Sequence, residues 1–136
     1  MRPSELSRRR ALLSLAILPA CGIAPAPADS EPIALPLSDY PGLAEPGGSA
    51  VVSLPSALLE LVLIHVAPDE YRALWRICSH GACTVEYDAG SRQLVCPCHG
   101  SRFDESGAVT LGPARSPLRR FEVWRNGDTL FLQRHS

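Results

Sequence analysis

Lysine is absent from this 136-residue chain, whose thirteen basic side chains are all arginine and stand against fourteen acids for a formal charge of −1. That balance excludes nucleic acid as a principal partner, since no basic stripe is available to follow a phosphate backbone. Aromatics supply only 6% of residues. The apolar run Ala11–Ala24 covers 14 residues and is broken by Pro19; a membrane-spanning helix needs about 20. There are no internal repeats and no glycine-rich phosphate loop. No catalytic triad, paired carboxylates or nucleophile elbow points to catalysis by the side chains alone. Ten glycines and thirteen prolines favour an all-β, loop-rich body of one domain.

Cysteine and histidine are concentrated between Cys78 and Ser101, which hold four of the five cysteines and two of the four histidines. The first loop reads Cys78-Ser79-His80-Gly81-Ala82-Cys83 and the second Cys96-Pro97-Cys98-His99-Gly100-Ser101. Thiolates and imidazoles together point to a metal centre. A structural zinc-binding module and an iron–sulfur cluster with mixed ligands both use such donors. Zinc modules generally keep two Cys in one knuckle and two His on a helix, whereas here each loop offers both kinds.

The spacing Cys-x-His, fifteen residues, Cys-x-x-His resembles the signature of the Rieske iron–sulfur proteins, and both loops resemble the Rieske boxes including the extra Cys of each. The resemblance implies a Rieske-type antiparallel β-sandwich with a small cluster-binding subdomain made of two hairpin loops. It implies a [2Fe-2S] cluster with Cys78 and Cys96 on one iron and His80 and His99 on the other. It further implies a Cys83–Cys98 disulfide tying the loops together. Two neutral imidazoles in place of thiolates raise the reduction potential. The exposed imidazoles are expected to couple electron transfer to proton transfer, because positive charge on the metal disfavours the protonated ring. Gly112-Pro113-Ala114 through Pro117-Leu118 is similar to the family's cluster-covering loop.

Four positions bear on tuning. Gly81-Ala82 stands where quinol-oxidising members carry Leu-Gly, and Ala82 is expected to alter the loop backbone because Ala does not take positive φ as Gly does. Ser101 matches a serine whose hydroxyl bonds a bridging sulfide. Phe103 stands where high-potential members carry a tyrosine. Hydrogen bonds to sulfur stabilise the reduced state, so one retained hydroxyl of two implies an intermediate potential.

Residues 1–21 resemble an export leader, with Arg2, Arg8, Arg9 and Arg10 before a short apolar run. Ser7-Arg8-Arg9-Arg10-Ala11-Leu12 is similar to the twin-arginine consensus, a route that exports folded, cofactor-loaded proteins. Leu18-Pro19-Ala20-Cys21 is similar to a lipobox, which implies lipidation of Cys21; a retained signal anchor is the competing reading. Without these residues nine Arg face thirteen acids, giving −4. Residues 22–32, rich in Ala and Pro, read as a flexible linker, and 33–136 as the cluster domain. Clustered cysteines and a disulfide fit an oxidising compartment on the periplasmic side of a bacterial membrane.

Within the domain, Ile33 to Leu37 reads as a first strand that Pro36 confines to an edge. Val51–Leu54 and Leu58–Val66 read as strands, the latter from alternating Val62, Ile64 and Val66 between Pro55 and Pro68. His65 reads as a strand histidine, Trp75 as core and His135 as solvated. Asp69-Glu70 is expected to turn the chain into a strand over Tyr71–Ile77. Thr84–Tyr87, Arg92–Val95 and Val109–Leu111 read as strands, with each cysteine loop at the end of a hairpin. A last hairpin, Arg119–Arg125 with Thr129–Gln133, turns around Asn126-Gly127-Asp128.

The function implied is one-electron transfer as the iron–sulfur subunit of a quinol–cytochrome c reductase-like chain, tethered to the membrane, with quinol or another donor and a cytochrome-type acceptor. The small Rieske subunit of another periplasmic oxidoreductase, such as arsenite oxidase, is the alternative. Ferredoxin partners of ring-hydroxylating oxygenases resemble the chain in the four ligands alone.

Overall fold

A computed structural model describes residues 31–133. The leader, Cys21, most of the linker and His135 lie outside them. Ten strands run in chain order: β1 (Ile33–Pro36), β2 (Ser49–Leu54), β3 (Leu59–Ala67), β4 (Glu70–Trp75), β5 (Glu86–Asp88), β6 (Gln93–Val95), β7 (Arg102–Asp104), β8 (Val109–Leu111), β9 (Arg120–Asn126) and β10 (Thr129–Gln133). Only short 3-10 turns interrupt them, and among the described residues no helix is long and apolar enough to cross a membrane.

Two antiparallel sheets result. The larger has the order β1-β10-β9-β4-β3-β2 and the smaller β5-β6-β7-β8. β1 lies at an edge, where Pro36 withholds no ladder donor from a neighbour on the free side.

β3 organises the packing because both of its faces are covered. Leu61 and Leu63 point into one apolar cluster with Leu35, Val52, Phe121, Leu130 and Leu132, all from the larger sheet, which therefore curls upon itself. Val62 and Ile64 point the other way, into a second cluster with Leu74, Val85, Leu94, Phe103, Cys78 and Cys96. This second core joins the two sheets and carries the cysteine loops on its rim. Each fully buried aliphatic side chain contributes about 1.5–3 kcal/mol, so the four apolar residues Leu61–Ile64 anchor both cores at once.

Several boundaries differ from the sequence reading. The β3–β4 turn is Pro68–Asp69, with Asp69 at φ 58, and Glu70 already belongs to β4 opposite Ala67. β5 starts at Glu86, not Thr84; Thr84 makes only an isolated bridge to Ile77. Arg92 is not in a strand but in a turn, at φ 54. The last hairpin turns on Gly127 and Asp128 between the paired Asn126 and Thr129, and Gly127 at φ 60 takes the positive-φ first position.

His65 is a buried strand histidine: Nδ1 lies 2.9 Å from the Leu43 carbonyl oxygen and the ring stacks on Tyr71 at 4.4 Å. Trp75 packs, partly buried, against the first core.

Candidate metal centre

The two cysteine loops are the same length and are closed by the same bond. Cys78 N–H donates to the Cys83 carbonyl at 2.8 Å, and Cys96 N–H to the Ser101 carbonyl at 2.8 Å. Their supports differ. The second loop caps the continuous β6–β7 hairpin, where Val95 pairs with Arg102. The first does not cap a hairpin of full strands: it links β4 of the larger sheet to β5 of the smaller one and is closed by the Ile77–Thr84 bridge. Gly100, at φ 76, lets the second loop fold back so that its N–H reaches the Cys96 carbonyl at 2.9 Å. Ala82 is not among the positive-φ residues, so the expected backbone conflict with Ala does not arise.

A Cys83–Cys98 disulfide joins the loops, with Cα atoms 6.4 Å apart. Cys78 and Cys96 remain free thiols, 4% and 1% exposed, at the edge of the second core. His80 and His99 are exposed, their rings edge-on with centroids 4.9 Å apart. The donors thus divide into an inner pair of sulfurs and an outer pair of imidazoles. Among the described residues no three His, Cys, Asp or Glu side chains converge on one point. A mononuclear structural zinc needs four such ligands about one ion. A two-iron cluster bridged by its own sulfides asks for two protein donors per metal, and the two-plus-two division fits that demand.

The segment 112–118 lies over the loops and is fastened to both. Ala114 N–H donates to Ser101 Oγ at 3.0 Å, and Ser79 Oγ donates to the Ser116 carbonyl. Leu118 N–H donates to the Gly107 carbonyl at 2.9 Å. Gly107 is at φ 87, and a Cβ there would sit 3.1 Å from the Leu118 carbonyl oxygen, so this junction requires glycine. Gly112–Pro113 is a cis peptide, and Pro113 and Pro117 are exposed on the outer side of the segment. Ser101 is fully buried and uses an oxygen lone pair toward Ala114, which leaves its hydroxyl proton free to be donated elsewhere. Phe103 is fully buried opposite Leu94 in the second core. Ser79 was not singled out in the sequence; no local pattern announces a bond made across 37 positions.

The far end of the small sheet is locked electrostatically. Arg92 Nε and Nη2 grip the Glu105 carboxylate at 3.0 and 2.8 Å, and Nη2 also donates to the Val66 carbonyl of β3 at 2.9 Å. Tyr87 donates to Glu105 Oε1 at 2.6 Å. Burial, and then Glu105's hydrogen bond and charge, push the Tyr87 phenol up to about 12. Partial burial works to raise the Asp104 carboxyl, but hydrogen bonds from Ser106 and the Ala108 N–H outweigh it and hold the group below its usual range. These bonds fix the turn before β8 and hence the approach of the covering segment.

A family model described as the Rieske [2Fe-2S] domain matches residues 45–122, more than half of the chain. The cytochrome b6-f complex iron-sulfur subunit of Synechococcus sp. (strain RCC307) is 40% identical over 60 residues, 44% of this chain and 34% of that protein. Subunit 2 of the same complex from Nostoc sp. (strain PCC 7120 / SAG 25.82 / UTEX 2576) is 40% identical over 55 residues, 40% of this chain and 31% of that protein. The matches thus span about a third of these curated relatives. Among solved structures, the cyanobacterial plasma membrane Rieske protein of Synechocystis PCC 6803 superposes with a TM-score of 0.61 at 20% identity, covering 75% of this chain and 99% of that one. The ferredoxin of carbazole 1,9a-dioxygenase from Nocardioides aromaticivorans IC177 does so at 0.59 and 25% identity, covering 76% and 98%. With paired cysteine loops at the rim of a two-sheet β-body and a family match over most of both sheets, the chain belongs to the Rieske [2Fe-2S] domain family, whose members carry a Rieske-type cluster and pass electrons through it.

Proposed function

We propose that the chain is the iron–sulfur component of a membrane-associated, quinol-oxidising chain on the periplasmic side of a bacterial membrane, with a cytochrome-type acceptor and an N-terminal tether at Cys21. Cys78 and Cys96 would hold one iron of a [2Fe-2S] cluster, and His80 and His99 the other. When bound, the cluster supplies one-electron redox chemistry. The protein's residues do the rest: the buried Cys78 and Cys96 sulfurs would be shielded from water, and the exposed imidazoles would face a partner. The disulfide fixes the two loops in one arrangement, and Ser101 keeps a hydroxyl proton that it would donate to the cluster when bound.

The Cys83–Cys98 disulfide carries this reading. A cross-link between two exposed loops persists in an oxidising compartment, which favours an extracytoplasmic carrier over a cytoplasmic ferredoxin. The resemblance to cytochrome b6-f iron-sulfur subunits supports a cytochrome acceptor. The small subunit of a molybdopterin oxidoreductase such as arsenite oxidase is the second reading, and the neighbouring gene separates them: cytochrome b for one, a molybdopterin subunit for the other.

Electron paramagnetic resonance of the dithionite-reduced full chain, with a redox titration repeated from pH 6 to 10, tests the proposal. A Rieske-type signal is expected, with a potential that falls as pH rises and a signal lost in His80→Ala and His99→Ala. A colourless, iron-free, zinc-bearing protein would refute it.

A further inference from the structure

We propose that the surface beside His80 docks a carboxylate-bearing face of a protein redox partner through Arg115. The inference rests on the reading that His80 faces the electron-transfer partner, and it names what that partner presents.

A depression of about 410 Å³ opens beside His80, lined by Ser79, Pro113, Arg115 and Ser116. The segments that line it, 78–83 and 111–118, and the cross-linked loop 96–101 contain no Asp or Glu, and apart from histidine their single charged residue is Arg115. Four other arginines are neutralised within the fold, Arg72 by Glu70, Arg76 by Glu60, Arg92 by Glu105 and Arg125 by Asp69; Arg102 bonds the Gln93 side chain, Arg119 lies over the Phe121 ring, and Arg120 is exposed on β9. Arg115 is exposed and has no ion pair or hydrogen bond among the described residues.

Its backbone is held on both sides. Ala114 N–H is bonded to Ser101 Oγ, and the Ser116 carbonyl accepts from Ser79. The guanidinium therefore projects from a fixed base, which lowers the ordering cost of engaging it. A planar, unpaired guanidinium in a carboxylate-free zone is complementary to a carboxylate supplied from outside. One such contact in a shallow depression suits a brief electrostatic encounter, in which charge sets the association rate more than the affinity.

The test uses small redox probes of opposite charge with the reduced full chain. Ferricyanide takes one electron and becomes ferrocyanide; tris(phenanthroline)cobalt(III) takes one and becomes cobalt(II). With the Arg115 charge about 10 Å from a trianion, Arg115→Ala should slow ferricyanide about fourfold at 10 mM ionic strength and about twofold at 0.1 M. Arg115→Glu should slow it by about the square of those factors and speed the cationic probe. Arg125→Ala, at the far end of β9 beside Asp69, should change neither by more than about a fifth of those effects. In parallel, redox-inert hexacyanocobaltate(III) should shift the Arg115 and Ser116 amides in ¹H–¹⁵N spectra of the wild type and not of Arg115→Glu. The proposal is overturned if ferricyanide accelerates with added salt, as the chain's total charge would dictate, or if Arg115 variants match the wild type. The trianion titration does not depend on electron transfer. It therefore decides the Arg115 site even for a protein whose spectrum lacks a cluster, the result that would sink the electron-carrier reading instead.

Discussion

Ser101→Ala separates two roles that one buried hydroxyl is assigned. The Oγ is fully buried and accepts the Ala114 N–H at 3.0 Å, while Ala114 itself is 5% exposed. Removing the oxygen leaves that N–H without a partner, an effect of about 1–3 kcal/mol. If the loss is local, Ala114 amide protection against hydrogen exchange should fall by about 5- to 150-fold, at about 1.4 kcal/mol per factor of ten. The hydroxyl proton, which Ala114 does not use, is assigned to a bridging sulfide. Losing a donor that favours the reduced state by about 1–2 kcal/mol lowers a one-electron potential by about 40–90 mV. Exchange mass spectrometry and voltammetry on the same preparation read the two effects. Ser79→Ala provides the comparison, since it loosens the covering segment at Ser116 and leaves Ser101 in place; its potential should move by less than half as much. A Ser101→Ala protein with wild-type protection at Ala114 would show that the bond does not hold the segment. A potential that stays put or rises would show that the hydroxyl does not donate to the cluster.

Replacing both Cys83 and Cys98 by Ala opens a cross-link across 15 positions, and the unfolding free energy in guanidinium should drop by about 3 kcal/mol; an unchanged midpoint would show that packing alone holds the loops. At high pH, Tyr87 is the group to watch. Its phenol is pushed up to about 12, above the ordinary value near 10. The folded state thus favours the protonated phenol, and the stability this lends is whole below pH 10 and drains away between about 10 and 12. Absorbance titration at 295 nm should show Glu105→Gln lowering this step, and no change would leave burial as its only cause.

The range of each interaction decides how much of the fold and site is legible in the sequence. β3 is legible because Val62, Ile64 and Val66 alternate between two prolines, although its burial on both faces appears only once two cores are seen. The cysteine loops are legible because their spacing is local, and His80 and His99 do come within 4.9 Å. What escapes is set at a distance. Arg92 reads as a strand residue, yet Glu105 and the Val66 carbonyl pull it into a left-handed turn. Thr84 has a β-branched side chain, yet the Ile77 bridge and the cross-link at Cys83 hold it in the loop margin rather than in β5. The Asp69-Glu70 pair looks like a turn by composition, but Glu70 is held in the ladder opposite Ala67. Ser79 and Arg115 carry no motif, and their roles follow from what the covering segment touches.

The order of the strands has one further consequence. β1 to β4 and β9 to β10 complete the larger sheet, while everything between is the smaller sheet with its loops. That interval departs at Leu74 and rejoins at Arg120, and these two residues face each other across adjacent strands. An excursion whose ends emerge side by side can be exchanged as a cassette, and its departure would uncover Val62, Ile64 and Leu74 on the host sheet. A chimera carrying residues 75–119 therefore needs a host sheet that offers an apolar face like that of Val62, Ile64 and Leu74, and this sheet closed by a tight turn needs those three positions made polar.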